Sequence, residues 1–388
     1  MDLLEFQGKQ LFSRAEIAVP SGEPADTVDE AVAAADRIGY PCVVKAQVLI
    51  GGRGKAGGIK VAKDVDEARA HADAILGMDI VGPHGEGPFT VHKVWVEEAS
   101  EIDAEYYASV ILDRSEKKPL VILSRMGGMD VEAIAESDPD ALVRAHVDPL
   151  KGLSKEDAAS LAVDAGIDED VVDGVAENLV KLYGAFNDFD ATLIEVNPLI
   201  VTSDRRVVAL DAKVTIDGSA LYRHEELAAQ EDPPEDPQER MAKERGLTYV
   251  KLDGNVGILG NGAGLCMSTL DVVANAGGKP ANFLDAGGGS KADAIVDALE
   301  VITSDDKVDA VLFNIFGGIT RCDEVARGII EAYERVDMDV PLVVRLDGTN
   351  SEEGLKLLAE ANLEGLHNAE TMLGAAEQVV ELANGAAA

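Results

Sequence analysis

Cysteine, histidine and basic residues are scarce in this chain of 388 residues. The three cysteines, Cys42, Cys266 and Cys322, have apolar or glycine-rich neighbours and lack the spacing of metal ligands. This scarcity argues against a disulfide framework and predicts a reducing compartment. No apolar run is long enough to span a membrane, and the N-terminal sequence MDLLEFQGK is not that of a signal peptide. We therefore expect a soluble, cytoplasmic protein.

Positive charge is in short supply, with 34 basic against 72 acidic residues and a formal net charge of −38. The acids are spread along the whole chain instead of forming a tail. Such a surface repels polyanions, so we expect neither nucleic acid nor an anionic membrane as partner. It is typical of a protein that works in concentrated salt, where self-repulsion is screened. The alternative is an ordinary acidic cytosolic enzyme.

The length predicts more than one domain, and residues 231–247 are the expected linker. This segment begins with a charged, proline-rich stretch that cannot form a strand or the middle of a helix. Before it, in residues 1–230, helical patterns mix with hairpins, which predicts an α+β domain with antiparallel sheet. After it, in residues 248–388, short apolar strands alternate with helices. That alternation predicts an α/β domain with a doubly wound parallel sheet.

The main strands and helices follow from apolar periodicity. In the first domain we predict a helix around residues 28–38 and another around 175–186. The predicted strands of this domain are 42–48, 93–97, 106–112, 119–124, 191–196 and 207–212. Those of the second domain are 256–259, 282–285, 310–314 and 342–346.

An apolar strand that carries one lysine, Lys45, is followed by a glycine-rich loop with Arg53 and Lys55. A lone ammonium in an apolar run is costly to desolvate, and a bound phosphate would offset that cost. The backbone N–H groups of a glycine loop can close over anionic oxygens. We therefore predict phosphate binding, although the GxxxxGK[ST] pattern does not occur. The alternative is a glycine hairpin with solvated basic residues.

Acidic residues and amides recur at strand positions in the first domain. Glu195 and Asn197 fall on one side of a strand, and Asp211 ends the next strand. Oxygen ligands on neighbouring strands could hold Mg²⁺ beside nucleotide phosphates. Glu97 and Glu105 flank a turn and could accept from an amino group and ribose hydroxyls. In each case the alternative is a solvated polar side chain.

Glycine-rich turns follow several strands of the second domain, at Asn261, at Gly287 to Gly289, and at Gly317 to Thr320. Each would expose the first N–H groups of a helix, which attract anions. The GxGxxG pattern fails for lack of its third glycine, so a phosphoryl group fits better than a dinucleotide. No histidine occupies a loop suited to carrying a phosphoryl group.

The segments LLEFQGKQLF, KAQVLIGGRGKAGG, LIEVNPL, LDAK, GNGAGLCMSTLD, ANFLDAGGG and NIFGGITRCDEVARGI occur in this order. In this respect the chain closely resembles the β subunit of succinyl-CoA synthetase (succinate–CoA ligase, ADP-forming), in an acidic, halophile-like version. The resemblance implies an N-terminal ATP-grasp domain and a flavodoxin-like CoA-ligase domain. It also implies a partner α subunit that carries the active histidine.

The resemblance assigns roles to residues of the first domain. Those that would grip the nucleotide phosphates are Lys45, Gly52, Arg53 and Gly54. Those that would line the base and ribose are Glu97, Ser100 and Glu105. Asn197 and Asp211 would hold Mg²⁺. Glu195 would orient the partner's histidine during phosphoryl transfer.

In the second domain the resemblance assigns Asn261, Gly318, Ile319 and Thr320 to the site where the phosphohistidine meets succinate and CoA. The helix after Gly318 would contribute its dipole. Met126 and Ile50 depart from the family's pattern, and neither removes a phosphate or metal ligand.

The implied reaction is reversible ligation of succinate to CoA at the expense of ATP (GTP is also possible), a substrate-level phosphorylation of the citric acid cycle. One alternative is the β subunit of malate–CoA ligase. Another is a catalytically silent, ATP-sensing scaffold, which would not need Glu195, Asn197 and Asp211 together.

The net charge leads to a prediction about folding in salt. Because unscreened acidic groups repel, the thermal midpoint of unfolding should rise steeply as salt increases from low to molar concentration. Thermal melts across a salt series measure this. A midpoint that stays flat across the series contradicts the prediction.

Overall fold

A computed structural model of the protein describes residues 1–83, 85, 87–230, 236–287, 292–336 and 338–386. The chain divides into two compact units, Met1–Pro233 and Pro234–Ala388. The division lies inside the predicted linker 231–247, and the predicted domain boundaries themselves remain a prediction. Residues 231–235 of that linker, and Gly288 and Gly289 of the predicted glycine turn, lie outside the described residues.

The helices are labelled in chain order. They are α1 Glu5–Arg14, α2 Val28–Ile38, α3 Val65–Ile75, α4 Val131–Ser137, α5 Lys155–Asp164, α6 Val172–Asp188, α7 Glu225–Ala228, α8 Pro237–Glu244, α9 Ala263–Asn275, α10 Ala292–Thr303, α11 Cys322–Arg335, α12 Ser351–Ala361 and α13 Met372–Ala386.

The strands are labelled in the same way. They are β1 Gly22–Ala25, β2 Cys42–Ala46, β3 Ile59–Ala62, β4 Asp79–Ile80, β5 Phe89–Thr90, β6 Val94–Glu98, β7 Ile102–Asp113, β8 Lys118–Ser124, β9 Val143–His146, β10 Ala191–Thr202, β11 Val207–Ala209, β12 Lys213–Ile216, β13 Thr248–Lys251, β14 Val256–Gly260, β15 Asn282–Asp285, β16 Ala310–Gly317, β17 Leu342–Gly348 and β18 Leu366–Asn368.

The first unit contains two larger antiparallel sheets, as the hairpin pattern predicts. One has the order β1-β6-β2-β3, and the other has the order β11-β10-β7-β8-β9 with β12 also paired to β10. Helix α2 begins where Thr27 accepts from the backbone N–H of Glu30, and it buries Ala31 and Ala35 against the first sheet. Helices α5 and α6 cover the second sheet, so each sheet has its own core.

One predicted strand is shorter in the structure than expected. We expected a continuous strand over residues 207–212, but β11 ends at Ala209 and β12 begins at Lys213. The break lies opposite Pro198, which has no N–H to donate to the ladder. The carbonyl of Pro198 instead accepts from the backbone N–H of Leu210 at 3.2 Å. Asp211 therefore lies in the gap between two strands and does not end one.

Part of the expected linker is helical. Helix α8 starts at Pro237 because Asp236 caps it, accepting from the backbone N–H groups of Gln238 and Glu239. It packs on β13 and α10 and so forms part of the second unit.

The second unit confirms the predicted doubly wound sheet. Its order is β13-β15-β14-β16-β17-β18, in which only β13 is antiparallel to its neighbour. Numbered by themselves, the parallel strands run 2-1-3-4-5, the flavodoxin-like order. Helices α9 and α13 cover one face, and α10, α11 and α12 cover the other. Among the described residues, no helix combines the length and apolar character that a membrane span requires.

Candidate functional site

Lys45 is the fourth of the five residues of β2 and is 5% exposed. Its ammonium group is 3.0 Å from Glu5 Oε1 and 2.6 Å from Glu97 Oε1. It also donates to the backbone carbonyl of Leu210 at 3.0 Å. Carboxylates thus offset the desolvation cost that we expected a phosphate to offset. The same ammonium joins the β2 sheet to the segment beside Asp211.

Arg53, in the glycine-rich loop after β2, is also buried. Its guanidinium is 2.7 Å from Glu5 Oε2 and donates to both carboxylate oxygens of Asp211 at 3.1 Å. It donates to the carbonyl of Ala46 at 3.1 Å as well. Both bonds to Asp211 come from Nη2, while Nη1 contacts Glu5 and Ala46, so the two ends of the guanidinium bind different partners. Arg53 and Asp211, predicted for phosphate and for metal, are therefore direct partners.

The charges of this cluster shift one another's pKa. Burial alone would raise the pKa of Glu5, but the positive charges of Lys45, Lys9 and Arg53 hold it well below its usual value. Burial alone would lower the pKa of Lys45, but Glu5, Glu97 and Asp211 raise it. The pKa of Arg53 is raised in the same way, by Glu5 and Asp211. These groups stay ionised at neutral pH.

Two members of the cluster, Glu5 and Lys9, were not predicted. Both lie on α1 with a four-residue spacing, and Lys9 contacts Glu5 at 2.9 Å and also contacts Glu97. A signal was present, because Glu5, Lys9 and Phe12 share one helical face and Phe12 is a core residue. Charged residues on the face of a helix that packs on the core indicate that groups of opposite charge are buried beside them.

The loop after β2 has the open backbone that phosphate binding requires. Gly52 adopts a φ of 76° and is exposed, as is Gly54. Later N–H groups of the loop are used internally, as in the bond from Gly58 to the carbonyl of Arg53 at 2.8 Å. Within the described part of this loop, the backbone N–H groups of Gly52, Arg53 and Gly54 donate to no protein acceptor. They are free to bind an anion.

The residues expected at the base and ribose are in different surroundings. Glu97 lies one residue before the end of β6, within the predicted strand 93–97; it is not solvated but 0% exposed, and it accepts from the indole of Trp95 at 2.7 Å. Ser100 is half-buried in the connection after β6, and Glu105 is exposed on β7. Glu105 lies beside Gly128, where a Cβ would come within 2.7 Å of its carboxylate. The contacts of Glu97 suit an internal ion pair.

Register places the two expected metal ligands opposite each other. Leu199 pairs with Ala209 and Glu195 pairs with Lys213, so the same alignment continues on both sides of the gap. Asn197 is therefore across from Asp211 on the same face of the strands. The oxygens of these two side chains are the kind that Mg²⁺ prefers when phosphates and water supply its other ligands.

Each of these two side chains already has a protein partner. Asn197 accepts from the N–H of Gly128 at 2.8 Å and donates to the carbonyl of Met129 at 2.7 Å. Asp211 is bound to Arg53 but keeps a third of its side chain exposed. No cluster of three acidic, histidine or cysteine side chains within the described residues could hold a metal by itself. Asn197 and Asp211 could therefore hold a cation only in a set that phosphates and water complete.

Glu195 lies on β10, two residues before Asn197 and on the same face. Its carboxylate accepts from the hydroxyl of Tyr107 at 3.1 Å. Burial raises the pKa of Glu195; the charge of Lys213 and the hydroxyl of Tyr107 lower it without cancelling that effect. A partly buried carboxylate with few donors is a strong acceptor for an N–H group.

Two of the predicted glycine turns, at Asn261 and at Gly317 to Thr320, lie at one edge of the sheet of the second unit. Strands β14 and β16 are adjacent, and their helices, α9 and α11, lie on opposite faces. The carboxyl edge between two such strands is where open α/β sheets bind ligands. Asn261 follows β14 there, and its amide pairs with both the N–H and the carbonyl of Phe316 at 2.9 Å. Asn261 thus fixes the end of β16.

Gly318, Ile319 and Thr320 connect β16 to α11. A Cβ at Gly318 would meet nothing within 4 Å, Ile319 is 88% exposed, and Thr320 is buried. Helix α11 begins at Cys322, beside this edge, and the N–H of Cys322 donates to the carbonyl of Thr349 at 3.0 Å. The predicted anion site at α9 is partly used, since Asp285 accepts from the N–H of Gly262 at 2.6 Å.

Comparison with known proteins follows this division of the chain. An ATP-grasp domain model matches residues 2–201, and a CoA-ligase model matches residues 259–379. The β subunit of the ADP-forming succinate–CoA ligase of Rubrobacter xylanophilus is 53% identical over 384 residues, which is 99% of each chain. The chain belongs to this family of β subunits.

Relatives of the same name occur in halophilic archaea. That of Natronomonas pharaonis is 53% identical over 92% of this chain and 93% of its own length. That of Halobacterium salinarum is 50% identical over 99% of each. ATP citrate lyase from Methanothrix soehngenii, in complex with citrate and coenzyme A, has a TM-score of 0.77 over 99% of each chain. At 20% identity it shows a shared fold only.

The contact between Tyr107 and Glu195 leads to a prediction about titration. Because the Tyr107 hydroxyl lowers the pKa of Glu195, Tyr107→Phe should raise that pKa further. Carboxyl ¹³C NMR of the full chain measures it, with Glu195→Gln assigning the signal. Tyr106→Phe, on the opposite face of the strand, is the matched control. An unchanged or lowered pKa in Tyr107→Phe contradicts the assigned contact.

Proposed function

We propose that this chain, with an α subunit, catalyses the reversible ligation of succinate and CoA coupled to ATP and ADP. The family membership supports the reaction. The observation that carries the assignment of residues is the contact of Arg53, from the glycine loop with open N–H groups, with Asp211, across from which the register places Asn197. The relatives described above carry the succinate name, which favours succinate over malate.

The nucleotide phosphates bind at the glycine loop. The N–H groups of Gly52, Arg53 and Gly54 donate to the phosphate oxygens, and Lys45 and Arg53 exchange carboxylate contacts for phosphate contacts. Glu105 and Ser100 lie towards the ribose and base. Glu97 does not contact the nucleotide directly; it contacts Lys45 in the buried ion-pair cluster. Asn197 and Asp211 hold Mg²⁺, which when bound neutralises charge on the phosphates.

Glu195 orients the partner's histidine for phosphoryl transfer. Its carboxylate accepts one imidazole N–H and so fixes which nitrogen faces the phosphate. At the second unit, Asn261 and Gly318 to Thr320 line the edge where the phosphoryl group meets succinate and CoA. The N-terminus of α11 stabilises that anion through its dipole. The free, buried cysteines fit the reducing cytoplasm to which we assign the enzyme.

Incubation with γ-labelled ATP tests the division of labour between the subunits. We expect this chain alone to bind nucleotide but retain no label, because the family resemblance places the phosphorylated histidine on the α subunit. With the α subunit present, acid-labile label should appear on that subunit, and succinate and CoA should discharge it. Acid-labile label on this chain alone, or no acyl-CoA formed by the pair, contradicts the proposal.

Lys45 and Glu195 should act at different steps. Lys45→Ala should weaken both nucleotide binding and phosphorylation, since Lys45 contacts phosphate. Glu195→Gln should leave ATP affinity near wild type while phosphorylation of the histidine falls by about two orders of magnitude. CoA exchange from already phosphorylated enzyme should survive in Glu195→Gln. Loss of Mg²⁺–ATP binding in this variant would instead make Glu195 a metal ligand.

A further inference from the structure

Helix α1 contributes two fully buried charges that the proposed reaction does not use. The side chains of Glu5 and Lys9 are each 1% exposed. An ion pair at this depth costs much desolvation energy and is weak evidence of a purely stabilising role. It therefore calls for another explanation.

The contacts of Lys9 duplicate those of Lys45. Lys9 reaches Glu5 at 2.9 Å and also contacts Glu97. Lys45 reaches the same two carboxylates, at 3.0 and 2.6 Å. With Arg53 and Asp211, the cluster contains equal numbers of acids and bases: Glu5, Glu97 and Asp211 against Lys9, Lys45 and Arg53.

Binding of a polyphosphate changes the ratio of negative to positive charge in this cluster. When Lys45 and Arg53 turn towards phosphate oxygens, Glu5 and Glu97 lose positive partners while more negative charge arrives nearby. Lys9 is less exposed than Lys45, with 1% against 6% of its side chain accessible, so it stays with the carboxylates. It is the one base of the cluster that touches both Glu5 and Glu97 and is not assigned to phosphate.

We propose that Lys9 is a positioning residue for nucleotide binding: it neutralises Glu5 and Glu97 and so releases Lys45 and Arg53 to the phosphates of a nucleoside di- or triphosphate. Glu5 has the opposite effect, since its carboxylate competes with phosphate for both bases. The inference rests on the proposed nucleotide site. It predicts that removing the charge of Lys9 weakens nucleotide binding, whereas removing the charge of its partner Glu5 does not.

The test compares dissociation constants for Mg²⁺–ADP and Mg²⁺–ATP, measured by calorimetry on the full chain. Lys9→Met should weaken binding by about ten-fold or more, because the cluster then carries an uncompensated carboxylate. Glu5→Gln should bind as tightly as wild type or more tightly. The double variant Lys9→Met/Glu5→Gln restores equal charge and should return to within about three-fold of wild type. Lys181→Met removes a lysine with a similarly spaced partner, Glu177, on the solvent-facing side of α6 and is the control.

The outcomes separate this inference from the proposed function. If wild type binds no nucleotide, the proposed function itself is wrong. If wild type binds but Lys9→Met binds equally well, the role of Lys9 is wrong. If Glu5→Gln and Lys9→Met both weaken binding and the double variant does not recover, the pair is merely structural and the inference fails. Should Lys9→Met not fold, the double variant decides: near-normal affinity supports the inference, and a loss of ten-fold or more overturns it.

Discussion

The first unit depends on one buried set of ion pairs. Glu5 of α1 contacts Lys9, Lys45 and Arg53, and so links the N-terminal helix to β2 and to the glycine loop. Removing one member of a buried pair typically costs about 3–5 kcal/mol, because its partner is left charged in a poor solvent. The helix, the strand and the loop are therefore held in one arrangement. That arrangement holds the side chain of Arg53 against Asp211.

The second unit depends on a different constraint, the order of its parallel strands. Because α9 and α11 leave β14 and β16 towards opposite faces, the sheet opens between these strands at their carboxyl edge. Asn261 closes the backbone there by pairing with Phe316. The exposed Ile319 and the start of α11 are then presented beside each other. The loop Gly318 to Thr320 has no charged side chain, and it is a candidate site because of its position at this edge.

Local sequence patterns predicted much of the secondary structure and the type of each domain. Apolar periodicity located α2 at its observed bounds, and alternation of strands and helices predicted the parallel sheet. It did not predict the gap between β11 and β12, since that gap depends on Pro198 in a neighbouring strand. Nor did it predict the partners of Lys45, because Glu5 and Glu97 are distant in the chain. Asn197 likewise has contacts with Gly128 and Met129 that no spacing rule reveals.

By itself, the sequence determined the family, the two kinds of domain, the acidic surface and the residue types available for chemistry, because these depend on composition, short motifs and local periodicity. Only the tertiary structure decided which charges meet. Ion pairs such as Arg53–Asp211 and Lys9–Glu97 join residues 158 and 88 positions apart. Such pairs form only where strand register and helix packing bring opposite charges together out of water, and no local pattern encodes that geometry.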